Sequence, residues 1–503
     1  MAILPNLLLF IPIIGAVAIL FGAPGRLTGL AISGFGLLAT ILMFLGYDSA
    51  TGGIQFATEV SMIASQGIGY GVGVDGLSLT MLLLTWLVGL AAFAVEAPVK
   101  DRPHIYNACL LFIAAGANGA FLATDLFWFF VFHELALIPT FLLIGIWGHG
   151  SDRQGAAWKV TIYLGLGSLI LLVGLIMLVT ALPTVTFNMA EMKAMLDANP
   201  IGFEMQKWIF LVLLIGFGVL VSLFPFHTWA PSAYSAAPTP AAMLHAGVLK
   251  KFGLYGLLRV ALPLLPEGAE ACANLLLILL IGNLFFIGLA AIAQKQFDLT
   301  IGYSSVMHMG YIFLGVAAAN TLSTSGAAIL ILAHGLSVAA LFALCGELRR
   351  HAGTTLYSEL GGLVKQMPLL TLLMGFSIFA SIGLPGFANF AGEVMIFFGA
   401  FGEQFDASGF GLFQWATVVA LLGVVFSAVY MLRAYKAICF GPTGEKSGVK
   451  TDITKGTCYA VGGLVTALLV FGFAPQLILQ TLNISDNQED VAEKRPIPMV
   501  ASR

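Results

Sequence analysis

The sequence predicts an all-α membrane protein with about fourteen transmembrane helices. Three observations carry that reading. Of the 503 residues 59% are hydrophobic, only 9% are Asp, Glu, Lys or Arg, and long apolar runs free of charge recur from one end of the chain to the other. A soluble domain carries about a quarter charged residues, so this chain could not clothe a soluble core. With 22 Lys and Arg against 25 Asp and Glu, a net charge of −3, it lacks the basic excess that nucleic-acid binding needs. The apolar content also excludes a disordered chain.

Each crossing needs roughly 20 apolar residues. The runs fall at 3–22, 27–46, 77–95, 107–123, 126–148, 160–181 and 209–224, then at 241–264, 273–293, 301–320, 327–345, 369–400, 412–434 and 457–480. The first run lacks a basic lead and an A-x-A cleavage site, so it reads as a retained helix and not a signal peptide. Placing the N-terminus outside puts fourteen of the 22 basic residues in inner loops and six in outer segments, among the latter Arg259, Lys494, Arg495 and Arg503. Lys450 is counted inside, and Lys250 and Lys251 lie within a run. The positive-inside rule therefore puts both termini outside. Between runs, residues 186–208 are amphipathic and should lie on the membrane surface or touch a neighbour.

Two runs contain helix breakers. One reads VSLFPFHTWAPSAYSAAPTP over 221–240, and the other SIGLPGFANFAGEV over 381–394. Proline removes a backbone donor and clashes with the preceding turn, so both helices should be discontinuous. A simple kink would explain either alone. Their pairing five spans apart points to an inverted repeat whose broken helices mark an ion pathway.

An ionisable side chain inside a span costs about 2.5–3.5 kcal/mol on insertion scales, and so marks function by default. Glu134 sits at the middle of its run, where the competing reading is a structural ion pair. Lys250 and Lys251 are adjacent, so helical geometry lets at most one face a common axis. Lysine suits a proton relay because its proton affinity responds to burial and to nearby charge. Glu393 lies eight residues after Pro385, where a helix break would admit water. His133, His227, His245, His308 and His334 lie in apolar surroundings. Imidazole both donates and accepts near neutrality; any one of these is more simply a satisfied hydrogen-bonding group, and His334 is the best relay candidate. The five cysteines are scattered singly, a spacing that supports neither an iron–sulfur cluster nor a zinc site. Gly71-Val72-Gly73-Val74-Asp75-Gly76 matches G-x-G-x-x-G literally, but it precedes a membrane helix instead of opening a helix after a strand in a βαβ unit. It should not bind a dinucleotide.

The stretches GVGVDGLSL (71–79), HELALIP (133–139), AAWKVTIY (156–163), FPFHTWAP (224–231), MLHAGVLKKFGLYGLLR (243–259), GYSSVMHMGY (302–311), AHGLSVAALFALCGEL (333–348) and IGLPGFANFAGEV (382–394) together resemble the antiporter-like membrane subunits of respiratory complex I. Among these, the M or chain 4 type is most similar. The resemblance implies fourteen helices in two inverted five-helix repeats. They would follow N-terminal helices within 1–106, occupy 107–264 and 273–434, and precede a last helix and polar tail in 435–503. It implies proton translocation along buried charges, driven by quinone reduction elsewhere. Within its pattern Glu134, Lys251, His334 and Glu393 occupy the central positions, with Lys159 a further sixth-helix lysine. Lys250, His308, His245 and His227 complete the candidate pathway. The carboxylate at 393 is what points to the M type. No cofactor is implied in this chain; flavin, iron–sulfur clusters and quinone belong to partner subunits of a membrane arm. The location implied is the bacterial cytoplasmic membrane.

One departure matters. The family pattern places a lysine four residues before F-P-F-H-T-W, and this chain has Leu220 there. The following W-L-P-D-A-H is also altered, to WAPSAY over 229–234. Glu134 is then either left neutral or compensated, with Lys159, Lys250 and His133 as candidates. Two other readings stand beside the pump: a subunit of a cation/proton antiporter or membrane-bound hydrogenase, and a scaffold subunit that has lost translocation.

Overall fold

A computed structural model describes residues 1–95, 99–405, 409–446, 448 and 451–482. Lys450, Lys494, Arg495, Arg503 and the polar tail lie outside the described residues. The helices are α1 (Leu4–Leu20), α2 (Gly25–Gly46), α3 (Gly76–Val95), α4 (Pro103–Leu122), α5 (Leu126–Trp147) and α6 (Arg153–Thr180), followed by the short α7 (Met189–Ala198) and by α8 (Phe203–Val221) and α9 (Trp229–Ala236). Next comes α10, continuous over 239–264 but carrying π turns at His245–Leu249 and Leu257–Ala261. The remainder are α11 (Pro266–Ala293), α12 (Phe297–Ala318), α13 (Thr321–Ala352), α14 (Pro368–Ser381), α15 (Ala388–Gly402), α16 (Leu412–Cys439), α17 (Lys455–Phe473) and α18 (Gln476–Leu482). Among the described residues, eleven helices are long and apolar enough to cross a membrane. Helices α1, α14 and α15 are shorter apolar helices. Several helices extend past the charge-free runs, because polar end residues continue the same backbone: α13 reaches Ala352 through Arg349 and Arg350.

Helices α12 and α13 form the buried centre; every residue in the most apolar stretch of α13 is shielded within the chain. At the periphery α6 turns Ile162, Leu166 and Leu169 outward, each more than half exposed. Such faces suit lipid or a neighbouring subunit.

The chain is not purely helical. Residues 47–75 contain an antiparallel hairpin, β1 (Gln55–Ile63) and β2 (Ile68–Val74). Thr124 N donates to Gly71 O (3.1 Å), Phe187 N to Gly67 O (3.0 Å), Leu126 N to Phe187 O (2.8 Å) and Met189 N to Thr124 O (2.9 Å). Asn6 joins from α1, donating to Thr58 Oγ1 (3.1 Å) and accepting from Tyr70 (2.7 Å). A Cβ at Gly71 would collide with Thr124 Oγ1, and one at Gly76 with the Thr481 carbonyl. The glycines of the literal G-x-G-x-x-G therefore serve close packing. Residues 187–189, at the start of the amphipathic stretch 186–208, are stitched into this same chain.

Both expected breaks are present. Helix α8 stops at Val221, with Ser222 in the left-handed region (φ 68°), and the chain resumes as helix at Trp229. Helix α14 stops at Ser381 and α15 begins at Ala388, with Gly383 at φ 75° between them. Backbone groups freed inside a bilayer must find protein partners. Asn283, in a π turn of α11 (Gly282–Phe286), donates to Ser222 O (3.1 Å) and Val306 O (3.0 Å) and accepts from Phe224 N (2.7 Å). Replacing it with leucine strips three backbone groups of a partner, at about 1–3 kcal/mol each. Asn283→Leu should destabilise the detergent-purified protein by about 2 kcal/mol or more in thermal or denaturant unfolding; an unchanged midpoint would show that the break does not depend on this side chain.

Candidate functional site: a buried line of ionisable groups

The centre of the line is on α10. Lys251 is fully shielded, and its Nζ lies 2.7 Å from His334 Nδ1 on α13 and 3.9 Å from Met309 Sδ on α12. An ammonium can only donate, so a charged Lys251 requires Nδ1 as acceptor and places the ring hydrogen on Nε2. A proton moved across this contact changes both partners at once. Lys250 is equally buried; its Nζ donates to Ser305 O (3.2 Å) and Oγ (3.3 Å) and stands 5.8 Å from the Tyr234 ring centre. Both lysines thus reach α12, at residues four apart on one face. Adjacent helical positions point about 100° apart, so the expectation that at most one of the pair faces a common axis gives way here to one helix that both side chains reach. Four-carbon stems give the reach, and a π turn, a feature common at functional sites, ends just before them.

The line continues through His308. Its ring centre is 5.7 Å from that of His334. Nδ1 lies 2.7 Å from Ser304 O, and Nε2 lies 2.8 Å from Ser381 O, the carbonyl at the end of α14. His308 therefore closes the second break as Asn283 closes the first. Tyr430 donates to Ser304 Oγ (2.9 Å), and the Tyr311 and Tyr430 phenols lie within electrostatic reach of Glu393. Glu393, on α15, is buried, and its Oε1 has no hydrogen-bond partner among the described residues. Gly383 leaves the space its carboxylate fills.

At the other end Glu134, half-buried on α5, accepts from the hydroxyl of Ser168 on α6. Leu220 is buried on α8, with Cδ2 against Gly167. The side chain in place of the expected lysine thus packs one residue away from the hydroxyl that holds the carboxylate. None of the three compensating candidates bonds Glu134. Lys250 is directed at Ser305, His133 stacks on Phe252 (ring centres 3.9 Å, planes 7° apart), and Lys159 stands on α6 one turn before Tyr163. The Tyr163 hydroxyl lies 3.1 Å from Thr228 Oγ1 in the first break, beside His227. His227 is within electrostatic reach of Lys159 and Lys250. His245 packs its ring on Trp229 (5.5 Å) and Tyr234 (5.4 Å). The structure thus joins Lys251 to His334 by a hydrogen bond, sets His308 against His334 in ring contact only, brings Lys250 alongside, sets Glu393 beyond two tyrosines, and leaves Glu134, Lys159 and His227 near the first break. Ser168, Ser304, Ser305, Tyr311 and Tyr430 escaped sequence reasoning; a trace was the Ser304-Ser305 pair one turn before His308 in α12.

Where α5 ends and α10 begins, a cavity of about 430 Å³ is lined by Trp147, His149, Thr239, Arg349 and Arg350 among others. Arg349 pairs with Asp298 at 2.6 Å. His149, in the loop after α5, has its pKa pushed down to about 4, chiefly by burial and further by Arg349.

These features define a class: a polytopic helical membrane protein whose core holds a line of ionisable groups between two broken helices. The chain belongs to the NADH:quinone oxidoreductase/Mrp antiporter transmembrane family, which matches residues 123–420. It is 35% identical over 493 residues to F(420)H(2) dehydrogenase subunit M of Methanosarcina mazei, covering 95% of this chain and 96% of that one. It is 31% identical to NADH-quinone oxidoreductase subunit M of Rickettsia conorii, covering 89% and 88%. Among solved structures, a chain of respiratory complex I from Thermus thermophilus superposes with a TM-score of 0.86 at 29% identity, covering 96% and 98%. A chain of the Mrp complex from Dietzia shares the fold, with a TM-score of 0.83 at 22% identity over 96% of each chain.

Two outcomes follow. Glu134→Gln and Ser168→Ala should each destabilise the protein, and the double variant should fall short of their sum by about 0.5–1.5 kcal/mol in unfolding measurements; strict additivity would mean the contact is not formed. For His149, the unfolded chain takes a proton near 6.5 and the folded chain only near 4. Its contribution is therefore complete above pH 6.5 and is lost as pH falls toward 4. His149→Asn should flatten that part of the stability–pH curve, and an unaltered curve would remove His149 as its cause.

Proposed function

We propose that this chain is a proton-translocating subunit of the membrane arm of a complex I type quinone oxidoreductase. The observation that carries the reading is the Lys251–His334 contact at 2.7 Å, continued by His308 to the end of α14. A site in which one proton has two adjoining bases, sealed from both sides and flanked by broken helices, can hand that proton on when a neighbouring charge changes. Quinone reduction on partner subunits supplies that change, and flavin, iron–sulfur clusters and quinone reside on those partners. In this reading Glu134 takes up the change at one end and Glu393 passes it on at the other, with Lys250 and the histidines lending hydrogen bonds between them.

The topology proposed is fourteen crossings with both termini outside, in a bacterial cytoplasmic membrane. The basic residues of the inner loops support the orientation. Counting α8 with α9 and α14 with α15 as single broken crossings supports the number. It makes the broken helix the fourth of five in each of the two segments 107–264 and 273–434, as an inverted repeat requires.

Lys251→Met and Glu393→Gln should each lower the proton-to-electron ratio of the assembled complex in membrane vesicles by this chain's whole share, leaving quinone reduction in detergent intact. Unchanged ratios in both variants would overturn the reading. A scaffold role for the Glu134 half is favoured by one observation, its neutral partner Ser168 in place of a cation. Glu134→Gln with full pumping would establish it.

A further inference from the structure

The central line ends inside the chain, and its outer side needs a way out. Tyr255 and Arg259 follow Lys251 on α10 at steps of four residues, so the three share one side of the helix. Tyr255 is fully buried, its ring edge-on to Phe121 (centroids 5.1 Å) and tilted on Phe129 (6.2 Å). Its hydroxyl lies 3.0 Å from Phe121 O and 3.1 Å from Ser78 Oγ. Ser78 Oγ donates to Asp75 Oδ1 at 2.9 Å, and the same oxygen accepts Ser78 N at 2.8 Å, capping α3. The other oxygen, Asp75 Oδ2, pairs with Arg259 Nη1 at 2.5 Å. The side chains of Arg259 and Asp75 are 21% and 15% exposed, so the series begins in the buried core and reaches the outer surface. Tyr47, in the loop after α2, is the other titratable group facing the pair.

A cap with an ion pair would explain Asp75, Ser78 and Arg259; Tyr255, bonded to Phe121 O and to the Arg259 side chain as well as facing Ser78, adds a phenol at the core end of the series. The two hydroxyls have two protons for three contacts. With Tyr255 donating to Phe121 O and Ser78 donating to Asp75, the Tyr255–Ser78 contact holds no proton. Rotating the phenol hydrogen by itself turns the series into one directed outward: Tyr255 to Ser78 to Asp75.

We propose that Tyr255, Ser78 and Asp75 form this chain's outward proton-release relay, with Arg259 as the ion-pair latch that holds it closed. The proposal rests on the translocation reading above. A proton leaving the Lys251 ammonium crosses one turn, about 6 Å of helix rise, on water, and reaches the Tyr255 oxygen as Tyr255 gives its own proton to Ser78. Ser78 gives its proton to the Asp75 carboxylate. The neutral acid loses its attraction for Arg259, the pair opens, and the acid releases the proton to outer water. The restored carboxylate then pairs again with Arg259, which blocks return. No charge is left on either hydroxyl, and one proton has crossed.

The test uses the assembled complex in membrane vesicles, reading proton-to-electron ratio beside quinone-reductase activity in detergent. Tyr255→Phe keeps the ring and removes only the hydroxyl; Ser78→Ala and Ser78→Thr keep the backbone cap contact and differ in the hydroxyl. Tyr255→Phe and Ser78→Ala should lose as much of the ratio as Lys251→Met, while Ser78→Thr retains it and detergent activity stays at the parent level. Parent ratios in Tyr255→Phe and Ser78→Ala beside a low ratio in Lys251→Met would overturn the relay and leave the pump intact. A parent ratio in Lys251→Met would overturn the translocation reading itself. If Tyr255→Phe lowers the amount of assembled complex, the Ser78 pair decides: equal ratios in alanine and threonine variants overturn the relay.

Discussion

A helix interrupted inside hydrocarbon must have its freed backbone groups paired by protein, and the rest of this architecture depends on how that is done. Water cannot supply the partners cheaply there, and each orphaned group costs about 1–3 kcal/mol. At the first break the partner is an amide, Asn283, which supplies donor and acceptor together. At the second it is the imidazole of His308. The difference bears on the proposed function. An amide does not titrate, whereas an imidazole does, so under the proposed translocation the second break, whose clamp also contacts Ser304 O and lies beside His334, would respond to where the protons are. Both clamps come from the second half of the chain, so the first half's break is completed by the second half, while the second half closes its own.

The buried charges obey a related economy. Among the described residues no carboxylate pairs with Lys250; its ammonium is met by the carbonyl and hydroxyl of Ser305. Lys251 is met by an imidazole and a thioether. Dipoles stabilise a cation less deeply than an ion pair would, as the proposed proton relay requires. The same logic applies to Glu134 and its serine. With Leu220 filling the position of a cation, the carboxylate is held by one hydroxyl, and its electrostatic coupling to the rest of the line is weaker than a lysine there would give.

Much of the architecture was legible before any coordinates. Proline and glycine at 225, 231, 385 and 386 announced both interruptions, because their backbone limits act locally whatever surrounds them. Glu134, Lys251 and Glu393 stood out because charge is rare in apolar runs. The hairpin did not, since β2 carries glycines at 69, 71 and 73, chosen for clearance against neighbours and poor in strand propensity. The hydroxyl partners were invisible for a different reason. A serine in a membrane helix reads as a small packing residue, and only the approach of α6 to α5 turns Ser168 into the donor to a residue 34 positions away.

The hairpin has a consequence for biogenesis. Its strands leave the ribosome early, yet their anchors are at 124–126 and 186–189. A nascent chain has to thread α3, α4, α5 and α6 through the translocation machinery before Phe187 and Met189 arrive on the hairpin's side. Until then the hairpin lacks its second anchor. The clasp thus acts as a checkpoint on sequential insertion: closing it reports that six helices have been laid down in the right sense, because a single inverted crossing would leave its halves on opposite faces of the membrane.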